Sequence, residues 1–209
     1  MKPLFFPQTI LLLSTAVATF SSCKKDIATA PPAGVTSSVT TKEPTWHPYK
    51  DSANMTYRII PFKTRTRPPL SVSTHAWYLS SGTVSSNLMP SAKIVNSQYL
   101  TYYGDGISSV GAQVTSFFPN ELYGTGLTTV PSSASCVIMD NEGNSLWLRL
   151  DSALISEAIP GRQNFNGKSS VIGGTGKFAG ASGQLTTRGY FNQGGKSDAA
   201  IGHSGKILY

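Results

Sequence analysis

The sequence predicts an all-β fold, a sandwich or a barrel, after a flexible N-terminal tether. Three observations carry this. From Met55 onward the chain is a series of short apolar or alternating runs rich in β-branched and aromatic residues. Turn residues interrupt these runs roughly every 8 to 12 positions, the spacing of sandwiches and barrels. Outside "SALISEAI" no window carries an unbroken helical pattern.

The chain opens with Lys2, an apolar run from Ile10 to Phe20 and then "FSSCKKD". That run is well below the ~20 residues needed to span a bilayer and has the form of a signal-peptide core. "FSSC" resembles the lipobox of bacterial lipoproteins, with Phe20 where leucine is usual. The resemblance implies cleavage between Ser22 and Cys23, diacylglyceryl transfer to Cys23 and acylation of the new amine. It places the protein in the cell envelope, at the outer membrane of a Gram-negative bacterium, and "KKD" is similar to the start of surface-directed lipoproteins. An ordinary secretory signal cut after "ATA", residues 28–30, is the alternative, disfavoured by Pro31 directly after the site. Two or more acyl chains, each CH₂ worth about 0.8 kcal/mol, anchor a protein without a transmembrane helix.

Residues 23–54 are rich in Pro, Ser and Thr and lack hydrophobic periodicity, which reads as a tether. As a flexible coil it reaches roughly 30 Å, and up to about 90 Å when extended. The domain proper is then residues 55–209. Its candidate strands are "MTYRIIPF", "VSTHAWYL", "KIVNSQYLTYY", "GAQVTSFF", "ASCVIM", "SLWLRLDSALI", "SSVI", "QLTTRGYF" and "AAIGHSGKILY". "CVIM-DNEGN-SLWLRL" is a hairpin, two strands joined by a polar turn containing glycine.

The stretch "IGGTGKFAGASG", residues 172–183, holds five glycines around Lys177. Gly174-x-Gly176-x-x-Ala179 matches the relaxed dinucleotide fingerprint, but that motif works only where a helix begins and its amides meet the pyrophosphate. Gly180, Gly183 and the threonines that follow deny that helix, and Phe178 stands where a P-loop needs Ser or Thr. A structural turn remains: Gly173, Gly174, Gly176 and Gly183 permit unusual backbone angles, Phe178 belongs to the same turn and, in a barrel, would cap its end, and Lys177 is solvated.

"GGTGKFAGASG" resembles the signature of dirigent proteins and the related allene oxide cyclase barrels. An upstream Gly-x-Gly-x-x-Ser-x-x-Gly block of similar bacterial secreted proteins is matched by Gly104, Gly106, Ser109 and Gly111, and their hairpin turn by Asp140 to Asn144. The three blocks cover most of residues 100–191, whereas residues 55–99 match only in texture. The resemblance implies an eight-stranded barrel, dimers or trimers, and activities that steer a reactive ligand, such as phenoxy-radical coupling or cyclisation of a fatty-acid epoxide. The functional residues of those families lie outside the matched blocks, so none is carried over.

Candidate site residues come from the strands themselves. In "SLWLRLD" Leu146, Leu148 and Leu150 share one face and Trp147, Arg149 and Asp151 the other. Leucines inward give a packed lumen and a surface Arg149–Asp151 pair; the opposite orientation gives a ligand pocket lined by Trp147, Arg149 and Asp151. Arg58, Lys63, Arg65 and Arg67, with Tyr57 and Phe62 between them, suit an anionic polymer. The same residues also suit an edge strand guarded by cations. His47, His75 and His203 are too scattered for a metal site, and His47 falls in the tether. With Cys23 lipidated, Cys136 has no disulfide partner; in "SASCVIM" it reads as a buried thiol, with a nucleophile as the alternative.

The net charge of +7, with only 10 acidic residues, favours acidic partners or simply reflects a surface poor in carboxylates. The expected function is non-catalytic, binding of a small apolar or aromatic ligand in the barrel or a structural or interaction role. A cyclase- or isomerase-like enzyme is the alternative, and anionic-polymer binding through residues 57–67 a further one. No cofactor, metal or nucleic acid is expected, and the sequence does not count subunits.

Overall fold

The computed structural model describes residues 43–65, 72–103, 106–193 and 198–209. Cys23, the leader, the tether up to residue 42, Arg67 and Gly104 lie outside the described residues, as do the side chains of Lys63 and Arg65. Nine strands follow one another: β1 (Trp46–Arg65), β2 (Val72–Ser86), β3 (Ala92–Tyr103), β4 (Gly106–Gly111), β5 (Cys136–Met139), β6 (Ser145–Ile159), β7 (Arg162–Thr175), β8 (Ser182–Asn192) and β9 (Asp198–Leu208). All pair antiparallel; β1 joins β2 to β9, and β2 also pairs with β3, so the sheet closes. Between β3 and β6 one barrel position is filled by two short strands end to end. β4 pairs with one end of both neighbours and β5 with the other. Nine strands therefore make an eight-position closed barrel, the all-β fold expected from the sequence.

The break between β4 and β5 is sealed by buried polar groups. Ser97 Oγ donates to the Ala112 carbonyl at 2.6 Å, Ser97 N donates to Ser135 O at 2.8 Å, and the Leu150 N–H donates to Ser135 Oγ at 2.8 Å. These bonds pair the Ser97 and Leu150 N–H groups and the Ala112 and Ser135 carbonyls at the gap, as burial demands.

Strand alternation sends Tyr49, Met55, Tyr78, Ile94, Leu100, Ile138, Leu146, Leu148, Phe165, Leu185, Phe191 and Ile207 into the lumen, where they pack as one cluster. A second cluster lies outside the barrel, where residues 112–135 fold back over β2, β3, β5 and β6. Val114, Phe118 and Leu122 pack there against Leu79, Val95, Val137 and Met139.

Three details differ from the sequence expectation. β1 starts at Trp46, so residues 46–54 belong to the barrel and not to the tether. "GAQVTSFF" is not a strand; β4 precedes it, and it forms a 3₁₀ turn (Val114–Ser116) leading into a one-turn helix, α1 (Pro119–Tyr123). Val114, Phe118 and Leu122 recur every four residues, a helical spacing that faces them all to the outer cluster. "SALISEAI", the one helical window, is the end of β6, where pairing to β7 overrides local pattern.

The glycine stretch ends β7 and enters β8 through a 3₁₀ turn at Gly176–Phe178. Gly176 has φ +60°, and a Cβ there would sit 2.3 Å from Asn144 Oδ1. Phe178 is fully buried beneath that turn, edge-on to Tyr209. Asn144 Oδ1 accepts the Lys177 N–H at 3.0 Å, so the β5–β6 hairpin and the glycine corner form one joined end of the barrel. Lys177 Nζ, exposed, donates to the Leu88 carbonyl at 2.8 Å.

Candidate functional site

Two regions carry chemistry, one inside the barrel and one on its outer face. Inside, β1 brings Tyr49 and Asp51 against His203 of β9. The Asp51 carboxylate accepts from Tyr49 OH at 2.7 Å, from His203 N at 2.7 Å and from His203 Nδ1 at 2.9 Å. All three residues are buried, so the carboxylate's water is replaced by donors from two strands. Burial, and then the Asp51 charge, push the Tyr49 phenol well above its ordinary value. The same two causes, in the same order, raise the Cys136 thiol on β5. Cys136 is thereby held as a thiol, which opposes a nucleophilic role.

The lumen around this cluster is filled. Phe165, Phe191, Tyr78, Leu100, Leu146 and Leu148 are each less than about one-twentieth exposed. The leucine face of β6 points inward, so Trp147, Arg149 and Asp151 face outward and do not line a lumenal pocket. Arg149 Nε and Asp151 Oδ1 are 3.0 Å apart in a surface ion pair, and Ser170 Oγ donates to Asp151 Oδ2 at 2.7 Å. Trp147 packs into the outer cluster, over Gly173, where a Cβ would lie 3.0 Å from the indole. Leucine burial outweighs that of the mixed face, which decides the orientation.

Of the basic candidates, Arg58 is exposed on the outer face of β1, beside a small cleft with Phe118 and Glu121. His47 lies in β1 against the Tyr209 ring, at 4.4 Å between centroids, and accordingly belongs to the barrel rim. His75 faces outward from β2 and His203 inward, so the three histidines do not converge. Among the described residues no group of three His, Cys, Asp or Glu side chains is placed to hold a metal ion.

The outer region was not legible as a site. Phe62 of β1, His75 and Trp77 of β2, Tyr99 of β3 and Phe117 of the covering segment form a continuous run of rings. Neighbouring centroids are 5.1 to 5.7 Å apart. Strand pairing builds the run, because Phe62 lies opposite His75 and Trp77 opposite Tyr99 on the outward face. Trp77, Tyr99 and Phe117, with Val110, Gln113 and Ser116, line an open cleft of about 420 Å³. The three rings are only partly buried, and Val110 is 44% exposed. The His75 Nδ1 atom beside Tyr99 is buried with no hydrogen-bond partner among the described residues. Half-covered aromatics beside an amide and a hydroxyl form a surface for a ring that has one apolar face. The sequence signal was present as alternation in "HAWYL", but which face of β2 points outward follows only from the closed sheet.

Fold and site together define a closed antiparallel barrel with a filled lumen and an aromatic cleft on its outside. Comparison with protein-family models, with curated proteins and with solved structures gave no match.

Proposed function

We propose that the protein is a lipid-anchored, extracytoplasmic binding module of the dirigent-like kind, non-catalytic, whose ligand sits in the outer cleft and not in the lumen. The observation that carries this reading is the contrast between the two regions: the lumen is packed with apolar side chains, while Trp77, Tyr99 and Phe117 leave aromatic surface open around the 420 Å³ cleft. Soluble domains leave such surface uncovered chiefly where something docks on it. The lipid anchor rests on the lipobox-like "FSSC" and the tether that follows it.

A ring probe with both an aromatic and a sugar face, p-nitrophenyl β-glucoside, tests the cleft by saturation-transfer NMR. Wild type is expected to show saturable transfer that Trp77→Ala abolishes; equal transfer in both proteins would sink the reading. For the anchor, the wild type is expected in the detergent phase on Triton X-114 partitioning and Cys23→Ala in the aqueous phase. Partitioning unchanged by that substitution would remove the lipid from the account.

A cyclase- or isomerase-like activity inside the barrel is the second reading, favoured by the Tyr49–Asp51–His203 cluster. It requires the apolar packing around that cluster to open to a ligand.

A further inference from the structure

The aromatic cleft does not end at β4. Following cross-strand partners around the barrel, Trp77 lies opposite Tyr99 and Tyr99 opposite Val110. On the next strands Ser152 lies opposite Lys168, and Lys168 opposite Thr186. Val110 and Ser152 meet across the β4–β6 pairing, one residue beyond the Ser109–Ala153 pair. One row of outward side chains therefore runs perpendicular to the strands from β2 to β8. Five interstrand steps of about 4.8 Å make it roughly 24 Å long.

The second half of this row is a separate groove of about 700 Å³ that shares Val110 with the cleft. Lys168 and Arg188 line it together with Ser108, Ser152, Asn166 and Thr186, and no carboxylate does. Neither cation is in a salt bridge among the described residues. Arg188 lies opposite Asn166 and Lys168 opposite Thr186, so the cations are diagonal neighbours, about 7–8 Å apart at the backbone.

We infer that this groove takes the acid groups of an anionic saccharide chain whose apolar ring face stacks in the adjoining aromatic cleft. The chemistry of the lining decides the class. Hydroxyls and an amide both donate and accept, as sugar hydroxyls do, whereas a fully ionic partner uses donors alone. Two cations about 7–8 Å apart suit a saccharide chain that carries no more than one acid group per ring. Double-stranded nucleic acid carries one charge per ~1.7 Å and calls for a denser basic track. The groove is concave and runs in single file, a poor fit to a flat lipid surface. The inference rests on the binding reading above for its aromatic half and adds Lys168 and Arg188 as the residues that select charge.

The test uses full-length Cys23→Ala protein, to keep it off membranes, and titrates oligogalacturonate against its fully methyl-esterified form by calorimetry. The acid form is expected to bind more tightly, with affinity falling as salt rises. Lys168→Ala and Arg188→Ala are each expected to weaken it about tenfold, the scale of one charge-assisted hydrogen bond, and together to erase the difference between the two forms. Both side chains are exposed on the strand surface, so the variants keep the fold, as circular dichroism would verify. Equal binding of acid and ester by the parent protein overturns the inference while leaving the cleft reading in place. Loss in the cation variants with no loss in Trp77→Ala does the reverse, upholding the groove and removing the cleft. Failure to bind the acid form, or stronger capture by phosphatidylglycerol vesicles or duplex DNA than by oligogalacturonate, also overturns it.

Discussion

Asp51 shows how one residue can hold a barrel together. Its carboxylate ties the first strand to the last through the backbone amide and imidazole of His203, and accepts a hydrogen bond from a phenol on its own strand. Truncation leaves Tyr49 OH and His203 Nδ1 buried without an acceptor, and breaking a buried pair in this way costs about 3–5 kcal/mol. Asp51→Ala is therefore expected to lower the melting temperature by roughly 10 °C or more. Equal stability in wild type and variant would show that the cluster does not hold the strands. Nothing in the sequence announced this pair. Asp51 stands among Pro, Ser and Lys residues, and its partner is 152 positions away. Only register brings them together.

The joined end of the barrel illustrates the element scale. Asp140 Oδ1 accepts the Glu142 and Asn144 N–H groups, both at 2.9 Å, and Asn144 Nδ2 donates to Asp140 Oδ2 at 2.8 Å. Burial alone would raise the Asp140 carboxyl, but these hydrogen bonds, with Lys177 nearby, outweigh it and hold the group below its ordinary range. The folded state then binds a proton less readily than the unfolded one. The resulting stability is complete above the unfolded value near 3.9 and is lost as pH falls through the lower folded value. Asp140→Asn is expected to flatten the loss of stability below about pH 4 in denaturant titrations; an unchanged acid limb would refute the assignment.

This end of the molecule was legible because its demands are local. A turn needs Asp, Gly and Asn at fixed places, and a positive φ needs glycine at 176. The start of β1 was illegible for the opposite reason. Pro48 and inward Asp51 break the alternation that marks a strand. Pro48 is tolerated because β1 there has β9 on one side and gains β2 only from Asp51 onward. Asn87 stands in for the missing neighbour, accepting from Lys50 N at 2.9 Å and donating to the Pro48 carbonyl at 2.8 Å. The covering segment was misread for a third reason: its apolar residues serve an outer cluster, which the search for alternation does not anticipate.

For the molecule as a whole, the raised acids in the lumen set an alkaline limit. Burial lifts Cys136, Tyr49 and Tyr78 above their ordinary values in the folded state. Above about pH 9 the unfolded chain ionises these groups while the folded one does not. Stability is thus complete below that point and declines as pH rises through 9 to 11 or so. Cys136→Ala is expected to delay the onset of the decline, because the thiol ionises before the phenols. A pH profile identical to that of wild type would show that the thiol contributes nothing to it.

Closure of β9 onto β1 also governs the order of events during synthesis. The seam joins the first strand of the barrel to its last, so a growing chain exposes two raw sheet edges until β9 emerges. Such a chain cannot lock into its final shape prematurely. The Asp51–His203 clasp can snap shut only once β9 has been made.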